Sequence, residues 1–339
     1  MLNKTNDNLL KSNSSANLFW ALLGLAAILL FNLLFTPNFF HIEVKDGHLF
    51  GSLIDIMNRA APVILIAVGM TLVIATSGID ISVGSVIAIS GAIAATLIAK
   101  VNAPLVLVIT LPLLVSIILG TWNGFLVATI GVQPIVASLI LMVAGRGIAQ
   151  LITDGQIVTF ENKPFEFVGN GFLLGLPFSI TIVLIVFAIT QLMTRKTALG
   201  LFIEATGCNP TASRYAGVSV RFIKQVVYIF SGFCAGVAGL IAAANIKGAD
   251  ANKAGLGLEL DAILAVVIGG TSMDGGKFSL TGSVIGALII QSLTTTILTR
   301  GVPVQVTRVV KALVVVVVIL LQSETFRQSI KAKFRRETA

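Results

Sequence analysis

The sequence predicts an all-α fold, a polytopic inner-membrane bundle of about ten helices (eight to ten), and three observations predict it. Of 339 residues, 56% are hydrophobic and only 11% are charged. Soluble domains carry about 25% charged residues, so this chain lacks the charge to coat a water-facing surface. Mean hydropathy is +0.98, and the apolar residues gather in blocks close to the roughly 20 residues that one bilayer crossing requires. A soluble enzyme, a nucleic-acid-binding domain and a disordered chain are excluded. The formal charge of +8 is then the Lys/Arg excess of inner loops rather than a nucleic-acid footprint.

The elements follow in order. Residues 1–17 are a short polar tail with Lys4 and Lys11, read as cytoplasmic. The first apolar block, 18–36, runs into Thr36-Pro37-Asn38 rather than into small residues, so it is a retained span and not a cleaved signal. Further crossings are expected over 59–77, 81–99, 104–130, 134–153, 173–194, 222–244, 259–272, 279–298 and 304–322. The fourth contains Pro104, Pro112 and Trp122-Asn123-Gly124, so it is one kinked helix or two pieces. The eighth is short and ends in Gly269-Gly270, enough for half a crossing. A basic tail, 323–339, closes the transmembrane region 18–322.

With the N-terminus inside and all ten blocks crossing, inner segments hold 13 Lys and Arg against seven outside. This bias follows the positive-inside rule and places both termini in the cytoplasm. The longest inner segment, 195–221, is basic but carries apolar residues such as Leu199, Phe202 and Tyr215. Asn209-Pro210 has the chemistry of a helix start, Asn as cap and Pro at the first position, and Gly217 that of a stop. A short helix there is either a docking surface for a cytoplasmic partner or a helix resting on lipid headgroups.

Polar groups within apolar spans are costly, about 2.5–3.5 kcal/mol for a charge at the centre on insertion scales. The stretch from Ala75 to Ser85, with Asp80 and Ser82, interrupts two apolar runs. It is a capped turn, a broken helix facing a solvated passage, or both. Asn123, Gln133, Arg146 and Gln150 form a second set, in which Arg146 must pair inside the bundle or snorkel to an interface. Asn245, Lys247, Asp250, Asn252 and Lys253 form a third, followed by Glu259 and Asp261. Their mixture of amides and charges suits a hydroxyl-rich ligand, a partner's rim or a solvated loop.

Two Cys and two His exclude a disulfide framework and a Cys/His zinc site. His41, Glu43, Asp46 and His48 fit no metal-ligand spacing, and no metal is expected. Gly270–Phe278 has Thr271 where a P-loop needs its first Gly and Phe278 where it needs Ser or Thr, so the chain has no nucleotide site of its own. No acidic residue sits in the middle of an apolar run to couple an ion gradient, and any driving energy must come from another subunit. Gly84-Ser85-Val86-Ile87 echoes Gly282-Ser283-Val284-Ile285, each after a Gly-rich break.

Three segments carry a resemblance. They are Gly78-Ile79-Asp80-Ile81-Ser82-Val83-Gly84, Gly207-Cys208-Asn209 through Gly217-Val218, and Glu259-Leu260-Asp261-Ala262-Ile263 through Gly269-Gly270-Thr271-Ser272. In this order they resemble the membrane subunits of ribose/xylose/arabinose-type bacterial ABC sugar importers, over nearly the whole chain. Ser52–Pro62, Gly145–Thr153, Lys247–Asn252 and the extended first outer loop are similar to the galactofuranose-importing subtype.

The resemblance implies a type II importer permease working by alternating access. Its partners would be a second permease subunit (a copy or a paralogue), a cytoplasmic ABC ATPase that binds the ATP and Mg²⁺, and a periplasmic sugar-binding protein. Within 195–221, Gly207, Asn209, Ala212, Arg214 and Gly217 would then form the coupling helix seated on the ATPase. Leu201, Glu204 and Pro210 depart from the basic, aromatic and acidic residues common there. Asp80, Ser82, Asn123 and Gln133 are the expected passage-lining groups, and Lys247, Asp250 and Asn252 the expected docking rim. The alternative function is an ion-coupled secondary sugar transporter.

Overall fold

The computed structural model describes residues 3–36, 39–45, 48–173, 175–301, 306, 309–313 and 316, with side chains from residue 18 onward. Asp46, the tail 323–339 and most of the block 304–322 lie outside the described residues.

Among the described residues, eight helices are long and apolar enough to cross a membrane, which makes this a multi-pass membrane protein. They are α1 (Asn3–Phe35), α2 (Ser52–Ala75), α3 (Val83–Thr96), α4 (Leu105–Phe125), α5 (Pro134–Ile152), α7 (Phe178–Lys196), α10 (Val220–Ile246) and α12 (Leu280–Thr299). Helix α1 extends through the polar tail as far back as Asn3. Helices α3 and α4 each end in a π turn, 97–101 and 126–130. The fourth block is therefore one helix with Pro112 inside it, and Trp122-Asn123-Gly124 stays helical. Shorter helices α6 (Lys163–Asn170), α8 (Ala198–Cys208), α9 (Pro210–Tyr215) and α11 (Leu258–Ile268) complete the α set.

Helices α10 and α2 are the centre of the bundle, α10 lying against α4, α2 and α3. In α2, 83% of the apolar window is buried, against 11% in α1, whose outer face is left for lipid. Lipid tails are as apolar as Leu, so close backbone packing rather than hydrophobic exclusion holds such helices together. The crossing of α4 and α10 illustrates this: a Cβ on Gly120 would lie 2.5 Å from the Tyr228 carbonyl, and one on Gly232 would lie 2.9 Å from Gly120 Cα.

Two crossings are broken. Helix α2 stops at Ala75, residues 76–82 form a non-helical connection, and α3 starts at Val83. In the second, α10 stops at Ile246, Lys247 adopts a left-handed φ of +53°, and a turn leads to α11. Helix α11 has 11 residues, about 16 Å at 1.5 Å per residue, half a bilayer. The two breaks meet: a Cβ on Gly255 (φ +70°) would lie 2.2 Å from the Gly84 carbonyl, so the start of α3 and the turn before α11 touch backbone to backbone. Ser85 Oγ donates to the carbonyl of Leu141, in the middle of α5, which puts this junction at mid-depth.

The end of the bundle opposite α9 carries three two-stranded ribbons absent from the sequence reading. Strand β1 (Glu43–Lys45) pairs with β2 (His48–Phe50), β3 (Ile157–Thr159) with β6 (Gly248–Asp250), and β4 (Phe172–Leu173) with β5 (Leu176–Pro177), all antiparallel.

Candidate functional site

Three of the four expected passage residues come together. Asp80, Ser82 and Asn123 are buried, and Ser231 from α10 joins them. Asp80 Oδ1 accepts from the Ser82 amide at 3.1 Å, from Ser82 Oγ and from Asn123 Nδ2 at 3.3 Å. Its Oδ2 accepts from Ser231 Oγ at 2.9 Å. Asn123 Nδ2 also donates to Ser82 Oγ at 2.8 Å, while its Oδ1 has no partner among the described residues. The Tyr228 hydroxyl reaches the Ile79 carbonyl at 3.5 Å. Asp80 thus holds Ser82 at the start of α3 and ties the non-helical connection 76–82 to α4 and α10. The structure places Gln133 elsewhere, at the N-cap of α5, in a crevice of about 370 Å³ shared with Pro210, Arg214, Arg221 and Lys224.

Arg146 pairs inside the bundle rather than snorkelling. Its Nη1 donates to the carbonyls of Ala251 and Ala254, pinning the turn before α11, and its charge interacts with Glu259 and Asp250. The three expected rim residues lie in the same region. Asp250 Oδ1 accepts from the amides of Asn252 and Lys253, and Asn252 Oδ1 accepts from Gln150 Nε2 at 2.7 Å. Lys247 Nζ sits 2.7 Å from Glu166 Oε2 on α6. That hydrogen bond holds the Glu166 carboxyl below the usual carboxylate range and lifts Lys247 above its ordinary value.

At the opposite end, Asn209 Oδ1 accepts from the Ala212 amide at 2.9 Å, Pro210 opens α9, and Gly217 (φ +84°) follows its end. The start and stop read from the sequence are those of the structure. Ala212, Arg214 and Gly217 are exposed, and Tyr215 is 90% exposed. Gly207, in contrast, is buried at the end of α8, where a Cβ would lie only 1.9 Å from the Ala75 carbonyl. Ser77 Oγ donates to the carbonyls of Gly207 (3.1 Å) and Asp274 (2.8 Å), and the Gly276 amide donates to Ala75 O at 2.9 Å. The α8–α9 hairpin is therefore knotted by backbone contacts to the end of α2, at the start of its break.

Sequence reasoning passed over Ser231, Tyr228 and the burial of Glu259. Ser231 and Tyr228 lie three residues apart on α10, one face of a helix, and that spacing was the available signal. Glu259 followed a polar set open to three readings, a ligand contact, a partner's rim or a solvated loop, and the structure buries it: it is 6% exposed against Gly84, and its Oε2 has no partner among the described residues.

Residues 52–319 match the family described as "Branched-chain amino acid transport system / permease component". The chain is 54% identical over 317 residues to the galactofuranose transporter permease protein YtfT of Escherichia coli, covering 93% of this chain and 92% of the relative. It is 41% identical over 340 residues to the fructose import permease protein FruF of Bifidobacterium longum (98% and 95% covered). It is 40% identical over 294 residues to the ribose import permease protein RbsC of Escherichia coli (85% and 88% covered). No solved structure matches the chain.

Proposed function

Because this chain belongs to the family of branched-chain amino acid transport permease components, we propose that it is the membrane-spanning subunit of an ATP-driven ABC importer for a monosaccharide. The galactofuranose permease, similar over 93% of this chain, supports galactofuranose as the sugar. The fructose and ribose permeases support the wider class. The subunit sits in a bacterial inner membrane with both termini in the cytoplasm, beside a second permease subunit that is a copy or a paralogue. A periplasmic sugar-binding protein docks on the end that carries Lys247, Asp250 and Asn252. ATP and Mg²⁺ are bound by the partner ATPase, and this chain is not itself an enzyme.

The observation that carries this reading is the α8–α9 hairpin: an exposed α9 surface backed by a rigid knot on α2. Helix α9 sits in a groove of the ATPase, with Arg214 and Tyr215 facing it. ATP binding moves the hairpin, and the Gly207–Ala75–Gly276 contacts pass the displacement to the break at 76–82. Asp80, Ser82 and Asn123 then hold the start of α3 as one body behind the passage wall, and the passage alternates between outward and inward openings. Gln133 acts with the α9 crevice rather than in the passage. Each partner needs only to bind one state more tightly than the other for the population to shift.

The test is uptake by the complete transporter in vesicles. Sugar accumulation should require ATP, the ATPase and the binding protein, and should ignore proton and sodium gradients. Accumulation on an ion gradient with no ATPase present would overturn the reading in favour of a secondary transporter. Arg214→Glu should cut both ATPase recovery and uptake, and unchanged values for both would count against the docking role of α9.

A further inference from the structure

Polar side chains gather at a second place at mid-depth, away from Asp80. A cavity of about 450 Å³ opens beside α11, lined among others by Leu256, Leu260, Leu264, Glu259, Asp261 and Lys311. Lys311, in the helical stretch 309–313, places Nζ 2.9 Å from Asp261 Oδ2, and the two side chains are 16% and 18% exposed. Glu259 stands two residues earlier on α11, its Oε1 accepting from the Gly257 amide at 3.2 Å and its Oε2 unpartnered among the described residues. Its contact with Gly84 fixes the depth, because Gly84 starts α3 at the level of the middle of α5.

Charged side chains at this depth are costly and persist where they pair or face a water-filled space. Both conditions hold for Asp261 and Lys311. A wall turned to lipid would not set a carboxylate and an ammonium beside an open space, and a close-packed core would not leave one this large. The volume is that of a small-molecule site. The chemistry is also specific: carboxylates accept from hydroxyls, the ammonium donates to them, and the exposed leucines (Leu256 54%, Leu260 58%) offer apolar surface to ring carbons.

We propose that this cavity is a sugar subsite within the passage, where Asp261 and Lys311 exchange their mutual contact for hydroxyls of a neutral polyhydroxylated sugar. The inference rests on the sugar-importer reading and deepens it, adding a contact within the membrane to whatever selection the binding protein makes.

The experiment uses the complete transporter in vesicles, in a Cys208→Ser, Cys234→Ala background, with Leu260→Cys and, separately, Leu256→Cys. A membrane-impermeant cationic thiol reagent should modify these cysteines, and saturating transported sugar should slow the modification. Asp261→Asn should lower uptake at least about tenfold while ATPase recovery and ATP turnover stay near wild type. The inference falls if both cysteines are inert in an active transporter, which means the cavity faces lipid. It falls equally if sugar gives no protection. If Asp261→Asn loses assembly and an Asp261→Lys, Lys311→Asp exchange restores assembly and uptake together, the pair is a structural tie and the subsite is refuted. Failure of the wild-type transporter to take up any sugar with ATP would instead refute the importer reading itself.

Discussion

The carboxylate of Asp80 accepts four hydrogen bonds from Ser82, Asn123 and Ser231. Removing this acceptor leaves the Ser82 and Ser231 donors without a partner, at about 1–3 kcal/mol per stranded group, while Asn123 keeps its bond to Ser82 Oγ. Asp80→Ala should therefore lower stability by about 2 kcal/mol or more, read as an earlier thermal unfolding midpoint in detergent, and Asp80→Asn should recover part of it. An unmoved midpoint would mean the donors find other acceptors. Lys247 and Glu166 give a pH prediction. The depressed Glu166 carboxyl contributes stability above its unfolded range and loses it as pH falls through the folded value. The raised Lys247 contributes below its unfolded range and loses it as pH climbs through the folded value. The tie between α6 and the end of α10 is thus strongest between these limits. Glu166→Gln should remove the acid-side fraying of this region seen by hydrogen exchange, and an unchanged acid limb would place the fraying elsewhere.

Single elements divide into those legible from local chemistry and those that are not. Helix α9 was legible because Asn209, Pro210 and Gly217 act on their own backbone. The ribbons β1–β2, β3–β6 and β4–β5 were not, since strands of two or three residues show no period and pair only with what the helices bring to them. Gly207 read as part of the docking helix, whereas the structure buries it at the end of α8 in close approach to Ala75. Gly207→Ala should then force the α8 end off α2 without touching the α9 surface. The expected result is a transporter that keeps its ATPase and hydrolyses ATP while uptake falls about tenfold or more. Equal losses of hydrolysis and uptake would point to lost assembly instead.

For the whole molecule, the Lys/Arg bias predicts sidedness. In a Cys208→Ser, Cys234→Ala background and without the ATPase, Tyr215→Cys should react with an impermeant thiol reagent only in inverted vesicles, and Lys253→Cys only in right-side-out ones. The reverse pattern would turn the bundle over and remove α9 from the ATPase. The sequence by itself determined the class, eight of the ten expected spans and the start and stop of α9, because hydrophobicity, charge and capping are properties of contiguous residues. It also named Asp80, Ser82 and Asn123, since a polar group inside an apolar run is conspicuous wherever the chain goes. Only the tertiary structure decided that these three share one carboxylate with Ser231, that Gln133 stands apart from them, and that Glu259 meets Gly84 where two broken crossings join. Those facts depend on which helices cross and how closely their glycines allow them to approach, and the distances involved are set by backbones far apart along the chain.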